Sequence, residues 1–594
     1  MTAQETARGR LAAVAPGLAQ LTAYRSRWLP KDVTAGLVLT ALLVPQGMAY
    51  AELAGLPAIT GLYTSILCLV GYAIFGPSRI LVLGPDSSLG PMIAATILPL
   101  VAADGDPARA VALASALALL SGAITVLAGV CGLGFVADLI SKPTMIGYMN
   151  GLAVTILIGQ LPKLFGFSVD ASGFLGEVAG FARGVADGET VPAALAVGGL
   201  GLVVIVALQR MLPKVPAVLV VVVLSIVATA AFGLGARGVD VVGALPQGFP
   251  PLTIPGIALS DLPLLFAGAL GIAVVSLADT ISTSSAFAAR AGRTVDGPRE
   301  MTGIGAANIA AGLFQGFPVS TSGSRTAVAE QAGAKTQVTG LVGAAAITLI
   351  LLLVPGLLRD LPQPTLAAVV IAASFSLADL PGTVRLFRIR RAEFTLSVAA
   401  FLGVVLLGVL PGIALAVALS IGNVFRRAWW PYQAVLGRVP GMPGFHDVRS
   451  YPHAERLPGC VVFRFDAPVF FANARTFREQ VTELSRSEPR PKWVIVAAEP
   501  ITDVDTTAAD MLHELDVALN ANGVHLVFAE MKDPVREKIE RYELTDTINP
   551  AHFFPTVEAA VAAFRAMTGA GWRPPDAPIA AEAGTEEPDR GGST

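Results

Sequence analysis

Two segments of this 594-residue chain interrupt apolar surroundings with glycine, proline and clustered hydroxyls: Gly84-Pro85-Asp86-Ser87-Ser88, and Phe317 through Ser322-Gly323-Ser324-Arg325. Irregular backbone at membrane depth persists only where protein or a water-filled cavity satisfies its polar groups. If each segment opens a helix inside a membrane, two sets of free backbone N–H groups and two positive dipole ends face one another, an arrangement that binds an anion. Ser87, Ser88, Ser322 and Ser324 offer further donors, and Arg325 adds a full charge on a fork suited to an oxyanion. Taken singly, each segment also reads as a tight turn with capping serines. Arg325 tips the balance, because a bare arginine in an apolar stretch is costly in a membrane unless it faces a pathway or a partner.

Asp279 sits deep in the apolar stretch VVSLADTISTSSAF, and Thr283 lies one turn on, so both occupy one helix face. A carboxylate and a hydroxyl there make a coupling site for Na⁺ or H⁺ beside the anion, or a structural partner for Arg325. Glu52 is nearer a helix end and reads as a capping or snorkelling residue. Gln46 and Tyr50, also one turn apart, offer an amide and a ring to a cavity.

The elements that must hold these residues are membrane helices. Hydrophobic residues make up 54% of the chain and charged ones only 14%, against about 25% charged in soluble globular proteins. Roughly 36 charges fall between Val33 and Val424, the other 49 outside, which separates a membrane part from a soluble part. A net charge of −3 gives no reason to expect nucleic acid. Cys68, Cys131 and Cys460 are too scattered for a disulfide framework or metal cluster. All five histidines follow the membrane part, so proton coupling within it would fall to carboxylates. Met1 to Pro30 has no apolar core with a cleavage site and reads as a retained cytoplasmic segment.

Apolar runs between Val33 and Val424 number twelve to fourteen, and loop charge favours fourteen. Arg210 and Lys214, Arg290 to Arg299, Lys335, and Arg385 to Arg391 mark one side; Asp104, Asp106, Asp170, Glu177, Asp187 and Glu189 mark the other. By the positive-inside rule both termini are cytoplasmic. KPTMIGYMNG from Lys142 resembles QPTLAAVVIA from Gln363, and RILVLGPDSSLGPM from Arg79 resembles GLFQGFPVSTSGSR from Gly312, as two seven-helix inverted repeats would require. Trp429 and Trp430 suit an aromatic belt at the last helix's end. From Gly459, apolar strands (GCVVFRF, KWVIVAA, VHLVFAEM) alternate with amphipathic helices, giving a small α/β domain. The expected division is 1–30 cytoplasmic segment, 31–428 transporter, 429–458 linker, 459–570 α/β domain and 571–594 disordered tail.

PQGMAYAELAGLPAITGLY (45–63), FGPSRILVLGPDSS (75–88) and FPVSTSGSRTAVAEQAGAKTQ (317–337) together resemble the sulfate permease family, solute carrier family 26, and the C-terminal domain resembles a STAS domain. One departure is Ala58, where the family signature has a second proline. The resemblance covers essentially the whole chain. It implies fourteen helices as 7+7 inverted repeats in core and gate domains, an elevator movement, a homodimer, and substrate between the third and tenth half-helices. By motif, Gln46 and Tyr50, Asp86 to Ser88, and Ser324 and Arg325 line that site. Asp279 and Thr283 match positions that hold Na⁺ in sodium-coupled bicarbonate members; Arg325 matches the basic position of anion exchangers. If Asp279 and Arg325 neutralise each other when the site is empty, protonation would release the arginine, which favours proton-coupled uptake. Thr507, in Asp503-Val504-Asp505-Thr506-Thr507, stands where phosphorylatable STAS domains read Asp-Ser-Ser.

The expected function is secondary active uptake of a small inorganic anion, sulfate or bicarbonate, in the inner membrane of a bacterial cell. Neither a catalytic residue, a metal site nor a cofactor beyond a coupling H⁺ or Na⁺ is implied. Dicarboxylate or nucleobase transport, and a membrane anion sensor signalling to a cytoplasmic partner through the STAS domain, are the rival functions.

Overall fold

Helices dominate because a spanning helix satisfies its own backbone in lipid. The structure, a computed structural model, describes residues 14–101, 105–134, 140–169, 171, 173–212, 215–290 and 292–570; Asp104, Asp170, Lys214 and the tail 571–594 lie outside them, as do residues 1–13 of the N-terminal segment. Contacts divide the chain into two units, Met1–Ile421 and Gly422–Thr594.

The first half of the membrane part runs α1 (Leu29–Leu53), α2 (Ala58–Phe75), a two-residue strand β1 (Leu83–Gly84), α3 (Gly90–Ile97), α4 (Pro107–Val130), α5 (Lys142–Phe165), α6 (Pro192–Met211) and α7 (Ala217–Phe232). The second half repeats that order: α8 (Leu262–Arg290), α9 (Gly297–Leu313), strand β2 (Ser320–Thr321), α10 (Gly323–Gln331), α11 (Val338–Leu353), α12 (Gln363–Leu377), α13 (Arg391–Leu402) and α14 (Val409–Trp429). The β1–α3 and β2–α10 units stand seven helices apart, as do α5 and α12, which open on the two matching Pro-Thr motifs. Among the described residues eight helices are long and apolar enough to cross a membrane, and α3, α7 and α11 are shorter apolar ones.

Two helix groups result. In one, α4 packs along α9 and α8, and α1 along α2 and α11; in the other, α5 packs along α12 and α13, and α6 along α12 and α7. Small residues set these approaches, as expected where lipid removes the hydrophobic drive between helices. A Cβ on Gly61 of α2 would lie 1.9 Å from the Gly47 carbonyl oxygen of α1, and one on Gly147 of α5 would lie 1.9 Å from the Ser397 carbonyl oxygen of α13.

The second unit holds a six-stranded sheet in the order β4-β3-β5-β6-β7-β8, numbered β3 (Gln433–Arg438), β4 (Phe445–Asp447), β5 (Cys460–Phe465), β6 (Trp493–Ala497), β7 (His525–Ala529) and β8 (Phe553–Phe554). Strands β5 to β8 are parallel, and β3 pairs antiparallel with β4 and β5. Helices α15 (Ala474–Ser485), α16 (Thr506–Asn520), α17 (Asp533–Arg541) and α18 (Val557–Thr568) accompany it. Alternate residues feed two cores, with Phe463, Phe465, Val494 and Val496 in one and Val462, Trp493 and Ile495 in the other. Residues 429–458, expected to be a linker, instead carry β3 and β4; their backbone completes one side of the sheet.

Candidate anion site

The two broken segments meet. β1 pairs antiparallel with β2, Leu83 opposite Thr321 and Gly84 opposite Ser320. The Ser322 N–H donates to the Val82 carbonyl at 3.0 Å, and the Val82 N–H donates to Thr326 Oγ1 at 3.1 Å. This ties the start of α10 to the strand that leads into α3.

The chain before α10 is irregular, and side chains from other helices satisfy it. Asn308 of α9 accepts the Val319 N–H at 2.8 Å, Thr64 of α2 accepts the Phe317 N–H at 3.1 Å, Ser115 of α4 donates to the Gly316 carbonyl at 3.2 Å, and Ser276 of α8 donates to the Val319 carbonyl at 3.2 Å. These four supports are missed in the sequence; their only signal there is a polar side chain in an apolar helix.

Arg325 is the largest of the fully buried side chains, 1% exposed. It reaches from the first turn of α10 back to β1 and lies against Gly84, where a Cβ would stand 3.4 Å from the guanidinium carbon. Nη1 donates to the Pro85 carbonyl at 2.6 Å, and Nη2 lies 3.9 Å from Asp86 Oδ2. Arg325 Nε and Nη2 have no hydrogen-bond partner among the described residues.

The carboxylate paired with Arg325 is Asp86, and not Asp279, for which that pairing was the alternative to a coupling-ion site. Asp279 Oδ2 faces Ser88 Oγ at 3.5 Å. The reason is the strand pair, which carries Pro85 and Asp86 directly past the buried guanidinium. A second difference concerns the N-terminus of α3. Asp86 Oδ1 accepts from the Ser88 N–H at 2.9 Å and from Ser88 Oγ at 2.7 Å, so the turn expected to offer a bare N–H group to an anion carries its own carboxylate. At α10, Ser322 Oγ accepts the Arg325 N–H at 3.4 Å and lies 3.1 Å from Ser324 Oγ. A Cβ on Gly323 would stand 3.9 Å from Thr283 Oγ1, which brings the α8 pair Asp279 and Thr283 to both half-helices.

Tyr50 of α1 is buried beside Ser87, in the field of Asp86 and Arg325. Pro45, inside α1, cannot donate to the carbonyl four residues back. It directly precedes Gln46, which is half-buried one turn before Tyr50. Among the described residues no group of three or more His, Cys, Asp or Glu is placed to hold a metal ion.

In the second unit, Thr507 is exposed in the first turn of α16. The cap of α16 is Asp505, whose Oδ1 accepts the Ala508 N–H at 2.8 Å. Nearby, Lys538 Nζ lies 2.5 Å from Asp503 Oδ1, and that hydrogen bond holds the Asp503 carboxyl below its usual range.

Comparison with known proteins gives consistent results. The sequence matches the sulfate permease family over residues 29–400 and the STAS domain over residues 451–560. It is 41% identical over 552 residues to a probable sulfate transporter of Mycobacterium tuberculosis, covering 93% of this chain and 98% of that protein. It is 29% identical over 564 residues to high affinity sulfate transporter 2 of Stylosanthes hamata, covering 91% and 84%. The fold is that of the murine Solute Carrier 26 family member A9 anion transporter in the inward-facing state, with a TM-score of 0.86 at 24% identity over 94% and 95% of the two chains. With eight apolar spans among the described residues and a C-terminal α/β domain, the chain belongs to the sulfate permease family, a family of membrane transporters and not of enzymes.

Proposed function

We propose that the protein is a secondary active transporter of a small inorganic anion, sulfate foremost, and that uptake is coupled to protons. The observation that carries this is Arg325, buried with two guanidinium nitrogens lacking hydrogen-bond partners at the meeting point of two half-helices. An oxyanion supplies the missing acceptors. The names of the sulfate-transporting relatives favour sulfate.

Proton coupling follows from counting charge. One arginine faces two carboxylates, Asp86 and Asp279, so with both ionised the empty site would carry an excess of negative charge. A dianion enters such a site readily only when a carboxylate takes a proton. Substrate would bind among Gln46, Tyr50, Asp86, Ser87, Ser88, Ser322, Gly323, Ser324 and Arg325. The group holding α1 to α4 and α8 to α11 would then slide against the other group, elevator-fashion, within a homodimer in a bacterial inner membrane, both termini cytoplasmic. The STAS domain would take a cytoplasmic partner, with Thr507 a candidate phosphosite.

One observation favours a second possibility, Na⁺-coupled bicarbonate uptake: from one face of α8, Asp279 approaches Ser88 before α3 and Thr283 approaches Gly323 at the start of α10. Uptake of radiolabelled sulfate and bicarbonate into proteoliposomes, with imposed H⁺ or Na⁺ gradients, separates the two. Sulfate uptake driven by an inward proton gradient and abolished in Arg325→Ala is expected. Uptake that ignores the pH gradient but needs Na⁺ would sink proton coupling.

A further inference from the structure

The elements that build the central site meet again beyond it. Arg79 precedes β1, Arg293 follows α8 and Lys335 follows α10, and all three line one cavity of about 390 Å³. Ser284 of α8 also lines it, so α8, which carries Asp279 and Thr283 to the central site, also contributes to this cavity.

Every carboxylate in the cavity wall is already engaged. Asp296 pairs with Arg299 at 3.1 Å and Glu330 with Arg290 at 3.7 Å. Glu300, fully buried, accepts from the Tyr72 hydroxyl at 2.6 Å and from Ser78. Arg79, Arg293 and Lys335 have no ion pair among the described residues. Arg79 and Arg293 lie within each other's field. Like charges gathered in one concave space focus a positive potential, and a multivalent anion relieves their repulsion. Two guanidinium forks and an ammonium match the oxygens of a tetrahedral oxyanion, and the volume admits one with part of its water.

We propose that this cavity is a second anion site for a soluble divalent tetrahedral oxyanion, sulfate or phosphate, staged at the basic end of the pathway beside the central site. It rests on the proposed transport function for the identity of its usual occupant, but not for its existence.

Equilibrium binding of radiolabelled sulfate to the purified full-length protein in detergent tests it. Wild type should bind two sulfates per chain, the weaker displaced by inorganic phosphate and lost as salt is raised. The double variant R79Q/R293Q should lose the weaker class by about tenfold or more and keep the tighter class within about twofold. Both substitutions are at exposed positions outside the helices. Arg325→Gln should give the reverse pattern. One class of site, equal in wild type and R79Q/R293Q, means these basic residues serve membrane orientation alone and overturns this inference while leaving the proposed function standing. Loss of both classes in a double variant that elutes like wild type also overturns it. No sulfate binding to wild type overturns both.

Discussion

Replacing Asp86 by Asn isolates the electrostatic competition at the heart of the site. Asp86 Oδ2 and Arg325 Nη2 are 3.9 Å apart, with side chains 17% and 2% exposed. At an effective dielectric of about 20, that separation corresponds to an attraction of about 4 kcal/mol. An anion that takes Arg325 must displace part of that attraction. Asparagine is isosteric, and its Oδ1 can still accept from the Ser88 N–H and hydroxyl as Asp86 does at 2.9 and 2.7 Å, so the turn into α3 is retained. Recovering only a third of the Coulomb term, about 1.4 kcal/mol, tightens the anion about tenfold. The expected result is an Asp86→Asn protein that binds sulfate about tenfold more tightly, transports more slowly because release is slowed, and shows a flattened dependence of uptake on external pH. Binding by isothermal calorimetry and uptake between pH 5.5 and 8 read both effects. Equal or weaker binding with an unchanged pH profile would refute the competition and with it the role of Asp86 in coupling.

Gly61→Ala places a methyl group 1.9 Å from a backbone oxygen of α1, and a cost on the order of 4 kcal/mol should show as loss of the monodisperse peak in size-exclusion chromatography. Asn308→Leu strips the Val319 N–H of its acceptor, so a loss of about 1–3 kcal/mol should lower the Tm together with sulfate uptake, whereas a stable protein with normal uptake would exclude Asn308 from support of the site. In the second unit, burial pushes the Asp516 carboxyl up to about 6 despite a 2.9 Å hydrogen bond from Asn520. A folded-state value above the unfolded one of about 3.9 favours folding below that range, and the benefit is lost as pH rises through about 6. Asp516→Asn should therefore raise the STAS unfolding transition at pH 8, by on the order of 2 kcal/mol after solvent screening, and leave it nearly unchanged at pH 4, as differential scanning calorimetry would register.

The central segments are legible in the sequence because Gly-Pro breaks, serines and an arginine stand out against apolar helices. What surrounds them is far less so. Thr64 donates to the Thr60 carbonyl at 2.7 Å while it accepts from Phe317. The first bond is what any threonine in a helix makes, and nothing local distinguishes a residue that also makes the second. Partner choice fails for a similar reason: Asp86 and Asp279 are both carboxylates in apolar surroundings, and sequence separation carries no distance. Only the two-residue pairing of β1 with β2 decides that Arg325 meets Asp86. In the soluble unit, β5 to β7 are evident from their apolar runs, but β3 mixes polar residues and a glycine with its apolar ones, β4 is only three residues long, and the two are separated by Val-Pro-Gly-Met-Pro-Gly, residues that read as loop.

That same pairing constrains how an anion can move. Val82 bonds both to Ser322 and to Thr326, Ser276 of α8 bonds to Val319, and Asn308 of α9 holds Val319 from the other side. The half-helices are thus fastened to each other and to α8 and α9, with few backbone groups free to rearrange. Opening the site by separating α3 from α10 would expose these bonds in a medium that offers no replacements. The weaker boundary lies elsewhere, where α1 meets α12 and α7 of the second helix group. The proposed sliding motion there would carry Arg325, Asp86 and Asp279 together, so the charge balance of the site would be preserved along the way and would change only by binding an anion or a coupling cation.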